Sequence, residues 1–319
     1  MKYVPLGRSG LKVSAVCLGG NSWGAAGRRA WGAFDEAGSA PFFRAALDAG
    51  INFFDTADVY NLGESERIMG ATLLGYAPRS ELVISTKVGI PMTDKPNGGG
   101  TGRKHLTEAL DASLRRLGTD YVDLLQIHRL DDVTPIEEVM ETLNDMVRAG
   151  KVLYIGGSTM PAWRFAQMCA VAQYRGWARP VAMQNLYNLV QREEEREMIP
   201  LCLEQGVGLV PYSPLARGFL GGNRTREGAA SERARVDKQA EGLFRDSDFA
   251  VLDEVTRLAR ERGVTPMQIA LAWLLSKPVM AAPIFGVSDP AQIADAAAAT
   301  GITLSPVDLA VLEGPYEPR

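Results

Sequence analysis

Leu82-Val83-Ile84-Ser85-Thr86, Arg103–Leu117 and Val122-Asp123-Leu124-Leu125-Gln126-Ile127 follow one another along the chain as a short apolar run, a helix-length segment and a second apolar run. Neither run alternates cleanly between apolar and polar residues, which is how strands covered on both faces read. The segment between them ends in Arg116-Leu117-Gly118, with glycine where a helix is usually capped. The unit is therefore strand–helix–strand, and it repeats in both directions. Upstream lie candidate strands Ala15–Leu18 and Ile51–Asp55; downstream lie Tyr154–Gly156, Ala182–Gln184, Gly208–Val210 and Ala282–Phe285. Candidate helices fall between them at Pro41–Ala49, Glu64–Leu74, Pro135–Ala149, Ala162–Tyr174, Glu194–Gln205 and Thr265–Ser276. Asp48-Ala49-Gly50, Arg148-Ala149-Gly150 and Glu204-Gln205-Gly206 repeat the glycine stop, while Thr107-Glu108, Thr134-Pro135 and Thr265-Pro266 read as helix starts.

Eight short strands alternating with helices predict an α/β fold, a parallel sheet closed into a (β/α)8 barrel spanning residues 1–319 as one domain. A doubly wound open sheet is the alternative. It expects Gly-x-Gly-x-x-Gly after the first strand, and Leu18-Gly19-Gly20-Asn21-Ser22 does not fit. Lys2–Val4 and Leu11–Val13, around Gly7-Arg8-Ser9-Gly10, predict a β-hairpin that plugs the barrel's N-terminal end. Gly89–Gly102 and Gly218–Asp248 are too long and polar for plain connections. Both follow strands at the C-terminal face, so lids are expected there.

Composition narrows the function. The 319 residues carry 34 Lys and Arg against 38 Asp and Glu, a net charge of −4 that gives no case for nucleic acid or an anionic membrane. No run approaches the roughly 18 apolar residues of a membrane span, and MKYVPLGRSG has no secretory apolar core. Cys17, Cys169 and Cys202 are odd in number and widely spaced, which argues against disulfides or a metal site and for a reducing, cytoplasmic setting.

In a barrel, chemistry gathers where strands end. Strand two ends at Asp55, with Tyr60 just beyond; strand three ends at Lys87 and strand four at His128. Singly each has a bland reading: a turn cap, a solvated lysine, a packed tyrosine, a structural histidine. Together they do not, because one of only two histidines falls at a strand end beside two other ionisable termini. His105, at a helix start, reads as structural or solvated. An ammonium beside a phenol favours the phenolate, Asp55 can hold Lys87 charged, and His128 can share a substrate oxygen. That set suits protonating a carbonyl oxygen as charge develops on it. It contains no nucleophile or metal site, so the hydride must come from a nicotinamide cofactor.

Asp55, Tyr60, Lys87 and His128 resemble the catalytic tetrad of the aldo-keto reductases. Gly50–Ala57, Gly63-Glu64-Ser65-Glu66, Tyr121–His128, Gly150–Gly156, Gln184–Asn188 and Tyr212–Gly218 extend the likeness over essentially the whole chain. Arg192–Met198 and Ala270–Pro278 are most similar to the aryl-alcohol-dehydrogenase-like (YajO-like) branch. The resemblance implies an enzyme interconverting carbonyls and alcohols with NADP(H) or NAD(H) bound in extended form. By position, Ser158 and Gln184 would hold the nicotinamide carboxamide, with Ser22, Trp23 and Asp55 beside it, and Tyr212 would stack on the ring. Ser213, Pro214, Leu215, Arg217 and Gly218 would meet the pyrophosphate. Gly286, Val287, Ser288, Asp289, Gln292 and Asp295 would surround the adenosine. NADP(H) is the family expectation. Asp289, where relatives carry Arg or Lys, opens the way to NAD(H); Thr159 and Ala296 are milder departures. The substrate, a small carbonyl or alcohol, would lie against Tyr60 and His128 with Trp23, Trp31 and Arg129 as walls. The other readings are a cofactor-binding regulatory subunit on the same fold and a lyase using Lys87 as a Schiff base.

Overall fold

Eight parallel strands form one sheet in the computed structural model, which describes residues 1–24, 34–237, 240 and 242–319. In chain order, β1 (Tyr3–Pro5) and β2 (Lys12–Ser14) make an antiparallel hairpin. The sheet follows with β3 (Cys17–Gly19), β4 (Phe53–Asp55), β5 (Val83–Val88), β6 (Val122–Ile127), β7 (Val152–Ser158), β8 (Pro180–Gln184) and β9 (Gly208–Leu209). A small hairpin of β10 (Arg224–Thr225) and β11 (Gly228–Ala229) precedes the last sheet strand, β12 (Ile284–Phe285). β12 pairs with β3 on one side; on the other, Ile284 bridges Tyr212 and its N–H donates to the Pro211 carbonyl at 2.8 Å. The sheet thus closes on itself as a (β/α)8 barrel, and the open-sheet alternative falls.

The barrel's helices are α1 (Glu36–Asp48), α2 (Glu64–Tyr76), α3 (Arg103–Leu117), α4 (Ile136–Arg148), α5 (Ala162–Arg175), α6 (Met198–Gln205), α7 (Glu232–Val236), α8 (Asp246–Arg262), α9 (Pro266–Leu275), α10 (Gln292–Ala299) and α11 (Pro306–Glu313). The logic of α4 is typical. Ile136, Val139, Met140, Leu143 and Met146 recur on one face and are buried, while Glu137, Glu141 and Arg148 face outward. Thr265 caps α9 in a reciprocal pair with Gln268, as its sequence promised. Thr107 does not start a helix: α3 begins at Arg103, and the Thr107 hydroxyl donates back to the Arg103 carbonyl one turn behind. The sequence reading also passed over α8, whose stripe Val251, Leu252, Val255, Leu258 and Ala259 is interrupted by charged residues, and over the short α10 and α11. No described helix is long and apolar enough to cross a membrane.

Two apolar layers hold the barrel. Between sheet and helices lies one continuous cluster. Inside the barrel, Cys17, Phe53, Val83, Leu124, Ala182, Val210 and Ala282 pack together, and Leu6 and Val13 of the hairpin join them. The hairpin therefore does plug the N-terminal end. Its turn is seated tightly: Gly7 has φ +57°, and a Cβ there would lie 2.5 Å from the Val181 carbonyl oxygen and 2.7 Å from that of Gly206. Gly7→Ala should cost roughly 1–3 kcal/mol through strain and overlap with backbone that cannot swing aside. Urea unfolding checks this, and an unchanged midpoint would mean the plug lifts away without cost.

Candidate active site

Parallel register sets the site. It puts Asp55 beside Ser85 and Lys87 beside Gln126, so polar side chains from neighbouring strands meet at the C-terminal end of the barrel interior. Lys87 is fully buried, and its Nζ donates to Asp55 Oδ2 at 2.5 Å, to the Thr56 carbonyl at 2.8 Å and to Tyr60 Oη at 3.3 Å. Tyr60 reaches that position from the turn Tyr60–Gly63 that follows β4, in which Asn61 and Leu62 take left-handed backbone angles. The second oxygen of Asp55 accepts from Ser85 Oγ at 3.1 Å and from the amides of Gln126 and Gln184 at 3.2 Å each. The carboxylate is thus held by one ammonium and three neutral donors.

Burial alone would strip the proton from Lys87, but the Asp55 carboxylate and the Tyr60 oxygen outweigh it and hold the amine above its usual range. All three ammonium donors are engaged, so the amine is not poised to attack a carbonyl, and the Schiff-base reading loses its nucleophile. His128 stands the other way. Burial first, then the positive charges of Lys87 and Arg129, push its imidazole down to about 2, so it is neutral. Its ring meets Tyr60 edge-on, with centroids 5.7 Å apart, and its Nδ1 is buried with no hydrogen-bond partner among the described residues.

A cleft of about 1370 Å³ opens above these residues. Ser22, Asp55, Tyr60, His128, Arg129, Ser158, Gln184 and Tyr212 line it, then Ser213, Pro214, Leu215, Arg217 and Gly218, then Gly286, Val287, Ser288, Asp289, Gln292 and Asp295. Trp23 does not. Its ring is 1% exposed, wedged among Phe34, Phe42 and Phe43, where burying an indole against three phenyl rings outweighs lining a wet cleft. Trp31 lies outside the described residues. His105 is buried in α3, apart from the cleft-lining residues.

Of the three neutral residues that steady Asp55, sequence reasoning missed two, Ser85 and Gln126. The signal was present as polar residues inside strands otherwise apolar. It also missed Asn21 and Asn61, which line the cleft. Asn61 takes φ +48°, a conformation asparagine tolerates better than most residues, and its amide donates to the Trp23 carbonyl.

Polar side chains occur along the whole length of the cleft. Ser158 and Gln184 are buried at its inner end, and the Gln184 amide N–H groups donate to Asp55 at 3.2 Å and Gln126 at 3.5 Å, with no donor to its side-chain oxygen among the described residues. Tyr212 presents a ring beside them, and a turn with Ser213, Ala216 and Arg217 at positive φ carries the chain past it. At the far end, Asp289 Oδ1 accepts from the Ala291 N–H at 2.9 Å, while Gln292 Oε1 accepts from Ser288 and Asp289. The loop arginines are engaged nearby: Arg217 forks onto Asp237 at 2.8 and 2.6 Å, Arg224 donates to the Ala234 and Asp237 carbonyls, and Arg226 pairs with Asp253. Arg129 has no carboxylate partner among the described residues and donates to the His128 carbonyl.

Comparison with known proteins agrees in kind. The model of the aldo/keto reductase family matches residues 15–316. The chain is 42% identical over 341 residues to the versiconal hemiacetal acetate reductase of Aspergillus parasiticus, covering 100% of this chain and 98% of that protein. It is 41% identical over 343 residues to a Schizosaccharomyces pombe protein named "Putative aryl-alcohol dehydrogenase", covering 99% and 96% of the two. A Metarhizium robertsii aldo-keto reductase is 40% identical over 344 residues, covering 99% and 91%.

Proposed function

Because this chain belongs to the aldo/keto reductase family and is an oxidoreductase of that family, we propose that it passes a hydride between a nicotinamide cofactor and a carbonyl carbon, with Tyr60 exchanging the proton on the oxygen. The observation that carries this reading is Lys87 Nζ, buried and charged, bridging Asp55 and the Tyr60 oxygen. Bound nicotinamide supplies the hydride. The rest falls to side chains. Tyr60 gives its proton as negative charge grows on the carbonyl oxygen, and Lys87 stabilises the phenolate left behind. Asp55 keeps Lys87 charged and fixed. Neutral His128 donates a hydrogen bond to the same substrate oxygen without competing as an acid. Ser158 and Gln184 orient the carboxamide, and Tyr212 covers the ring. Oxidation of NADH or NADPH by the purified chain against a panel of aldehydes, ketones and sugars tests this; no turnover with any of them would favour a regulatory subunit on the same fold.

Cofactor choice turns on the far end of the cleft. Asp289 and Asp295 are acidic there, and the loop arginines that would meet a 2′-phosphate hold other partners. A carboxylate repels that phosphate and accepts from a ribose hydroxyl. NAD(H) should therefore bind nearly as well as NADP(H). Asp289→Arg should tighten NADPH by about tenfold or more, the worth of one charge-assisted hydrogen bond. Titrating each cofactor by quenching of tryptophan fluorescence reads this directly. A strong NADPH preference in the wild type that Asp289→Arg leaves unmoved would remove Asp289 from the 2′ position.

A further inference from the structure

Asp58 is 1% exposed, and among the described residues no side chain hydrogen-bonds its carboxyl; the neighbouring Val59 N–H is the one backbone donor that lies toward it. A buried carboxylate with no cation and no side-chain donor of its own is costly, and native proteins seldom tolerate it without a reason. The charged groups around it are mostly committed elsewhere. Glu66 of α2, itself fully buried, accepts from the Thr86 hydroxyl at 2.5 Å and takes the Arg116 guanidinium of α3 at 2.6 Å. Arg116 turns its remaining reach to Ser113 at 3.2 Å. The third charged neighbour, Lys87 of β5, is committed to Asp55, Thr56 and Tyr60. The backbone of Asp58 is nevertheless tied into the site: its N–H donates to the Lys87 carbonyl at 3.1 Å, and the next turn, closed by the Tyr60 N–H on the Ala57 carbonyl at 3.1 Å, carries the tyrosine.

We propose that Asp58 is a positioning residue, a carboxylic acid kept neutral behind Lys87 and Tyr60, whose ionisation impairs delivery of the tyrosine proton. This rests on the assignment of Tyr60 as the proton donor. While Asp58 is neutral, Lys87 answers to one carboxylate, Asp55, and is free to favour a developing phenolate. An ionised Asp58 sets a second buried anion against Glu66 and near Lys87. That anion opposes negative charge on the tyrosine oxygen and pushes against the turn that holds it. Burial first, then the Glu66 charge, raise the carboxyl from an ordinary 3.8 to about 7; Val59, Arg116 and Lys87 offset this only in part.

The sign follows by linkage. Between about pH 4 and pH 7 the folded chain keeps a proton that the unfolded chain has released, so this group's contribution to stability falls as pH rises through that window and is flat above it. Asp58→Asn removes the dependence. Its melting temperature should gain on the wild type between pH 5 and pH 8. The wild-type kcat for carbonyl reduction should fall about tenfold from pH 6 to pH 8.5, and that limb should be missing in the variant. Infrared spectra of the wild type alone should show a protonated-carboxyl band at pH 5.5 that is lost by pH 8, a readout that needs no variant to fold. Parallel stability curves, or no such band, overturn the neutral acid. A band and a widening stability gap with identical rate profiles overturn the link to Tyr60. The band and the stability gap do not depend on Tyr60 being the acid, so failure of that assignment shows separately, in Tyr60→Phe.

Discussion

Tyr60→Phe should lose turnover by about two to four orders of magnitude, the usual contribution of a positioned general acid, while cofactor affinity stays within about twofold. The phenyl ring keeps the edge contact with His128, so the wall of the site is preserved and only the proton is removed. Lys87 keeps Asp55 and the Thr56 carbonyl, so the variant should fold with near-normal stability. Loss confined to kcat identifies an interaction made in the transition state. Near-normal turnover would take the proton away from Tyr60.

Lys87→Met should fail twice over. Turnover should drop by about two orders of magnitude or more, because no cation then stabilises the phenolate. Stability should fall by about 3–5 kcal/mol, because Asp55 is left as a buried anion held only by Ser85, Gln126 and Gln184. Adding Asp55→Leu removes the stranded charge. The double variant should recover most of the stability and none of the activity. Urea unfolding beside steady-state assays separates the two effects. Recovery of turnover with stability would show that Lys87 serves only to neutralise Asp55.

The barrel was legible because buried parallel strands are short, apolar and regularly spaced by helices, and each of the eight expected strands lies on an observed one. The ends of β4, β5 and β6 could be read as a site because an aspartate, a lysine and a rare histidine interrupt otherwise apolar runs. Less was legible where a side chain's job depends on distant neighbours. Trp23 looked like a pocket wall from its place after the first strand, yet it belongs to an aromatic cluster assembled by Phe34, Phe42 and Phe43. Gln126 and Ser85 looked like strand filler until register brought them onto Asp55. Asp58 gave no signal at all, since its setting depends on Glu66 holding the guanidinium of Arg116, which lies fifty residues from Glu66 along the chain. α8 was hidden in a polar region because its apolar stripe shows only when wound at helical pitch.

Hydride transfer to a carbonyl in the cleft, with the proton from Tyr60, can be read by following deuterium. The wild type would be incubated with nicotinamide cofactor deuterated at the transferring position and an aromatic aldehyde, and the alcohol formed would be examined by NMR. Deuterium is expected on the carbinol carbon, with the rate of its appearance cut by about a hundredfold or more in Tyr60→Phe. An alcohol carrying no deuterium there, or the same rate in the two proteins, would contradict it.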